Sequence, residues 1–104
     1  MSIAETSLHN APLLRREDRA GGICVLTLNR PAARNSLSRA MLQALEDLLA
    51  DIAADAGVRV VVLAGAGTVF CAGHDLREIT AHRADADGGR GFYADAMAAC
   101  ARVM

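Results

Sequence analysis

Val60-Val61-Val62-Leu63-Ala64-Gly65-Ala66-Gly67-Thr68-Val69-Phe70-Cys71-Ala72-Gly73-His74-Asp75-Leu76-Arg77-Glu78 reads as a buried strand, a glycine-bearing loop and the first turn of a helix. Such a corner aims free backbone N–H groups at whatever lies beyond the carboxyl end of the strand, and so it can hold an anion. Asp75, with Glu78 three residues later, marks the helix start as an acidic capping box. In that arrangement the Asp75 side chain takes the N–H of Glu78, and Glu78 reaches back to the N–H of Asp75. His74 then lies just outside the helix, with an N–H that belongs to neither ladder nor cap. Gly73 before it carries no side chain to block an approaching ligand oxygen. The corner therefore reads as half an oxyanion hole centred on the His74 amide.

Outward from this corner the chain alternates strands and helices. Residues 13–18 and 22–29 pair as a hairpin across Arg19-Ala20-Gly21, and in the second strand both the Ile23, Val25, Thr27 set and the Cys24, Leu26, Leu28 set are largely apolar, so cover on two sides is expected. Pro31 ends that strand, because proline cannot donate to a ladder. Ser36 or Ser38 caps a helix running to about residue 55, with Met41, Leu45, Leu48 and Ile52 in one stripe widened by Leu42 and Leu49, and Gly57 stops it. Residues 58–64 are continuously apolar except for Arg59, the composition of a strand inside a sheet with helices outside. A polar, glycine-bearing loop over residues 81–91 leads to helical spacing through Phe92, Met97 and Val103, a pattern without a closing cap. Residues 1–12 have no period and read as a flexible tail before one α/β unit over residues 13–104.

The 104 residues carry a formal net charge of −1 and are 53% hydrophobic, which excludes a disordered chain and gives no basic patch for nucleic acid. No apolar run approaches the roughly 20 residues needed to cross a bilayer, so no membrane partner is expected. Cys24, Cys71 and Cys100 stand far apart without a Cys-x-x-Cys pair, which favours a reducing compartment. With no apolar leader and no arginine in the first twelve residues, a cytoplasmic location is expected.

Phe70-Cys71-Ala72-Gly73-His74-Asp75-Leu76-Arg77-Glu78 resembles the F-x-A-G-x-D-L-x-E segment of the crotonase superfamily, the enoyl-CoA hydratase/isomerase group. Leu28-Asn29-Arg30-Pro31-Ala32-Ala33-Arg34-Asn35-Ser36-Leu37-Ser38 is similar to its L-N-R-P-x-x-x-N-[AS]-L-[ST] segment, and the spacing between the two, filled by one helix and one strand, fits as well. Within the family, the histidine after Ala-Gly and the residues 100–104 look most like the subgroup called enoyl-CoA hydratase domain-containing protein 3. The resemblance implies the N-terminal part of a crotonase-like α/β fold of repeated β-β-α units, and therefore apolar faces that await further structure. It implies an acyl-CoA thioester substrate, with coenzyme A as part of that substrate and no permanently bound cofactor. It implies that His74 supplies one backbone N–H of the oxyanion hole, with Ala33, Arg34 and Leu37 lining the nucleotide side and Ala72, His74, Asp75 and Leu76 flanking the adenine and pantetheine end. The family's second donor and its acid/base glutamate belong to a G-G-G-x-E segment that does not occur in these residues, so this piece alone is expected to be close to inert. Complete members form trimers or pairs of trimers.

Other readings of the same residues remain open. Arg34 can be an ordinary solvated arginine in a turn. His74 can act through its imidazole as a general base, can ligate a metal with Asp75 and Glu78, or can merely shape the mouth of a pocket. Cys71, three residues before His74, can be a nucleophile or a small packing residue. Gly65-Ala66-Gly67 has part of a dinucleotide fingerprint but Phe70 stands where the third glycine belongs. Two rival functions follow: a non-catalytic acyl-CoA-binding or interaction module, and a doubly wound nucleotide-binding domain.

Overall fold

The computed structural model describes residues 12–104. The predicted tail therefore lies outside the described residues, apart from Pro12. Strands β1 (Leu14–Arg19) and β2 (Ile23–Leu28) form the expected antiparallel hairpin, Leu14 opposite Leu28 and Arg19 opposite Ile23. Its turn needs left-handed backbone at Gly21 and Gly22. A side chain at Gly22 would also strike the Gly57 carbonyl oxygen at 2.8 Å. The Gly22 carbonyl accepts the N–H of Arg59 and of Val60, which ties the hairpin to the start of β3 (Val60–Gly65). β3 pairs in parallel with β2, Ile23 beside Val60 and Leu28 beside Gly65, so the sheet order is β1-β2-β3.

The crossover between the parallel strands is helix α1 (Arg39–Ala53). Ser38, not Ser36, is its cap: the Ser38 hydroxyl accepts the Met41 N–H at 3.0 Å. Gly57 does not terminate it. The helix closes at Ala54, and the Gly57 N–H instead donates to the Asp55 carboxylate at 2.9 Å. Met41, Leu45 and Ile52 pack on Leu14, Cys24, Leu26 and Leu28 to make the core, with Leu48 and Leu49 at its margin. Burying each such leucine is worth about 1.5–3 kcal/mol, which holds α1 to one face of the hairpin.

Two short elements follow β3: α2 (Leu76–Ala81), continued by a 3-10 turn (His82–Ala84), and α3 (Arg90–Val103). The Asp87 carboxylate accepts the N–H groups of Gly89 and Gly91 and so caps α3 from outside. α3 is the helix expected from the spacing of Phe92, Met97 and Val103, and Val103 packs against the core. Ala96 and Ala99 are its buried residues, because close approach to α1 requires small side chains. Arg102 bonds Glu46 across the same pair of helices at 3.1 Å.

One expectation about β3 does not hold. It reads as an interior strand, yet Val60, Val61, Val62 and Leu63 are 40–52% exposed. β3 pairs on one side only and stands at the edge of the sheet among the described residues. The strand has the composition of a sheet interior and the position of an edge.

Candidate functional site

The two segments singled out from sequence are laced together by backbone hydrogen bonds. Ala72 N–H donates to the Arg34 carbonyl at 3.0 Å, Leu37 N–H to the Gly73 carbonyl at 2.7 Å, and Asp75 N–H to the Leu37 carbonyl at 3.1 Å. The last two form a parallel bridge between Leu37 and His74. In such a bridge the residue flanked by the two bonds turns its own N–H and C=O away from the opposing strand. The His74 amide accordingly points away from Leu37 and has no hydrogen-bond partner among the described residues. Gly73 lies at φ +90°, where side chains are strained, and a Cβ there would meet nothing within 4 Å. This glycine is needed for the turn, and the space beside it is open.

Arg34 and Asn35 make the second unusual turn. After the 3-10 turn Pro31–Ala33, both take left-handed backbone, at φ 54° and 55°. Asn35 is fully buried. Its Oδ1 accepts the Arg30 N–H at 2.8 Å, and its Nδ2 donates to the Ala66 and Val69 carbonyls, each at 2.8 Å. One side chain therefore satisfies backbone groups from both segments and fixes the loop after β3. The part of that loop nearest the strand is held by close packing, because a Cβ on Gly65 would lie 2.8 Å from the Phe70 Cα. The Phe70 backbone thus packs directly against Gly65.

Asp75 caps α2 as read from the sequence, accepting the Glu78 N–H at 3.1 Å. The reciprocal half of the capping box is absent. The Asp75 N–H is already spent on Leu37, and Glu78 turns instead to the N-terminus of α1, where its Oε1 accepts the Arg39 N–H at 2.7 Å. Asp75 is buried and its second oxygen meets the Arg30 guanidinium at 2.8 Å. That hydrogen bond from Arg30 is the main reason its carboxyl stays below the ordinary carboxylate range; burial opposes it and the Glu78 N–H adds to it.

A carboxyl that ionises more readily folded than unfolded contributes stability at neutral pH and loses it as pH falls through its folded value. Unfolding free energy should therefore drop on acidification below about pH 4, where free aspartate begins to protonate. Asp75→Asn should flatten that acid limb and cost about 1–3 kcal/mol at neutral pH, through the lost charge-assisted bond. Denaturant unfolding across the acid range checks this, and an acid limb unchanged in the variant would exclude Asp75 as its source.

A cleft of about 440 Å³ opens between the two laced segments. Of the residues proposed from sequence, Ala33, Arg34, Ala72, His74, Asp75 and Leu76 line it. Leu37 does not: its backbone belongs to the lacing, and its side chain turns to an apolar groove formed with Leu28, Leu45 and Phe70. Arg30, Ser36 and Arg77 also line the cleft and were missed from sequence. The signal for Arg30 was present, since a buried aspartate needs a cation. Three arginines against one carboxylate leave the cleft positively charged, as binding of phosphate groups requires. The His74 Nε2 is shielded from solvent without a partner among the described residues. Cys71 is half-buried and packs against the core, and its sulfur accepts the Gly73 N–H at 3.5 Å. No group of three or more His, Cys, Asp or Glu that could hold a metal occurs among the described residues.

A family model described as enoyl-CoA hydratase/isomerase matches residues 18–100. The chain is 44% identical over 64 residues to a probable peroxisomal enoyl-CoA hydratase 1 of Arabidopsis thaliana, covering 62% of this chain and 24% of that protein. It is 36% identical over 93 residues to the mitochondrial enoyl-CoA hydratase domain-containing protein 3 of Mus musculus, covering 89% and 29%. The subgroup picked out from sequence is thus represented among its relatives. The crystal structure of an enoyl-CoA hydratase from Mycobacterium smegmatis superposes with a TM-score of 0.78 at 46% identity, over 88% of this chain and 34% of that one. The chain thus spans about a quarter of the length of the curated relatives it matches.

Proposed function

The chain belongs to the enoyl-CoA hydratase/isomerase family, and from that premise we propose that it forms the thioester-oxygen half of an acyl-CoA site. Acyl-CoA hydration or isomerisation places negative charge on the thioester oxygen, and a fixed N–H donor there stabilises the enolate. The observation that carries the reading is the His74 amide, without a partner among the described residues and turned away from Leu37 beside a Gly73 whose Cβ position is open. Gly73, Asp75 and Leu37 hold that donor before a ligand arrives, so little reorganisation is needed when charge develops. Arg34 and Arg77 offer forked donors to the phosphates of coenzyme A, which enters as part of the substrate rather than as a resident cofactor. The small side chains of Ala33 and Ala72 let the ligand approach the backbone. We assign His74 a backbone role, its imidazole shaping the mouth of the cleft.

The second donor and the acid/base residues are not in these 104 residues. Loss of one oxyanion donor costs about 10²–10³ in rate and loss of a general base about 10²–10⁴, so the isolated chain should bind but scarcely turn over. This is also what a non-catalytic acyl-CoA-binding module would do, and joining the chain to the family's remaining segments separates the two. In the complete protein we expect a trimer or a pair of trimers, in a reducing compartment, the cytoplasm, that suits three free cysteines.

Titration with acetyl-CoA and with NAD tests the ligand class. The chain should prefer acetyl-CoA, and Arg34→Ala should weaken that binding about tenfold to a hundredfold, the loss of one charge-assisted phosphate contact. Preference for NAD, or unchanged acetyl-CoA affinity in Arg34→Ala, would overturn this reading.

A further inference from the structure

The corner before α2 is a run of three peptide planes, and each is held in a different way. The first, which carries the Ala72 N–H, is held by the Arg34 carbonyl at 3.0 Å. The third carries the His74 N–H and is held through its own oxygen, the Gly73 carbonyl, which accepts the Leu37 N–H at 2.7 Å. The plane between them has one hydrogen bond among the described residues: its Gly73 N–H donates to Cys71 Sγ at 3.5 Å. Gly73 itself lies at φ +90° with nothing within 4 Å of where a Cβ would stand, so no side-chain packing limits its rotation. Glycine is the most freely rotating residue, and a glycine joint beside a donor keeps that donor aimed only when both flanking planes are pinned. Cys71 can pin the middle plane because it is fixed in turn, packed against the core beside Leu28, Leu37 and Phe70.

We propose that Cys71 is a positioning residue: through the Gly73 N–H its sulfur stops the Gly73 joint from rotating, and so keeps the His74 N–H aimed into the cleft. Cys71 then works as a hydrogen-bond acceptor two residues before the N–H it holds, the place that serine and threonine hydroxyls take in comparable turns, and not as a nucleophile. The inference rests on the proposed donor role of the His74 amide and adds the side chain that holds that amide in place. Sulfur is a weak acceptor, so the loss of an ordinary hydrogen bond, about tenfold in rate, is the upper end of the expected effect.

Cys71→Ala and Cys71→Ser separate this role from packing. Alanine keeps a small apolar side chain and removes the acceptor, whereas serine keeps an acceptor and puts a hydroxyl in an apolar margin, which costs stability. Packing alone therefore ranks alanine above serine in both stability and turnover, while positioning reverses the order in turnover only. In the 104-residue chain, NMR relaxation should give Gly73 and His74 amide order parameters of about 0.85, kept in Cys71→Ser and lowered to about 0.6 in Cys71→Ala. In a complete domain that joins residues 12–104 to the remaining two thirds of the Mycobacterium smegmatis relative, Cys71→Ala should lower kcat about threefold to tenfold with KM unchanged, and Cys71→Ser should keep most of it. Unchanged order parameters in Cys71→Ala, unchanged kcat in that variant, or turnover that follows the order of unfolding stability would each overturn the proposal. Gly73→Val in the same domain keeps the two readings apart. An inactive Gly73→Val with a normal Cys71→Ala defeats only the role of Cys71. A normal Gly73→Val defeats the donor itself, and the order parameters then decide by themselves whether Cys71 holds the turn.

Discussion

Asn35→Ala is expected to lower the unfolding free energy by about 3–5 kcal/mol, the largest stability effect at the site. The substitution strands the Arg30 N–H and the Ala66 and Val69 carbonyls, each at a cost of about 1–3 kcal/mol before water recovers a part. It also puts alanine at φ 55°, a left-handed conformation that asparagine tolerates and alanine resists by about 1 kcal/mol. A chain this size should then melt more than about 12 °C lower. Asn35→Asp gives the sharper comparison. Aspartate keeps an acceptor for Arg30 but turns a carboxylate oxygen toward two carbonyls, so it should be at least as damaging as alanine. Denaturant and thermal unfolding of both variants check this, and a mild Asn35→Asp would mean that the Nδ2 bonds do not hold the loop.

Gly73→Val should reduce thioester turnover by about 10²–10³ or more in a complete domain that joins residues 12–104 to the remaining two thirds of the Mycobacterium smegmatis relative, whereas His74→Ala should keep most of it. Valine cannot hold φ +90° without strain, and its branched side chain would occupy the open space beside the His74 amide. Alanine at residue 74 keeps the N–H. Steady-state kcat and KM on an enoyl-CoA thioester distinguish these outcomes, with acetyl-CoA binding as a check that the cleft is intact. Normal turnover in Gly73→Val would falsify the placement of the donor, and collapse in His74→Ala would assign the work to the imidazole.

Much of this arrangement was legible before any coordinates. The hairpin, a helix beginning after Ser36 or Ser38 with its Met41, Leu45 and Ile52 stripe, the strand after it and the Asp75 cap follow from periods and caps that act within a few residues. Six of the seven proposed cleft residues line one cleft. The misreadings have a common cause. Glu78 looked local because its capping-box partner is three residues away, but its actual partner, the Arg39 N–H, is 39 residues away. Leu37 was placed by neighbourhood in a motif, while its side chain follows the apolar groove. Asn35 was visible only as a letter in a pattern, since nothing nearby in sequence shows that it bonds Ala66 and Val69.

The amino-acid sequence by itself determined which segments are strands and helices, where the turns need glycine, and which family the chain resembles, because those signals reside in short-range sterics and side-chain period. Only the tertiary structure decided that the segments around Arg34 and Gly73 lie side by side, that Arg30 neutralises Asp75, and that β3 pairs on one side only among the described residues. Those outcomes depend on groups 30 or more residues apart finding one another across a core, and no local preference encodes such distances.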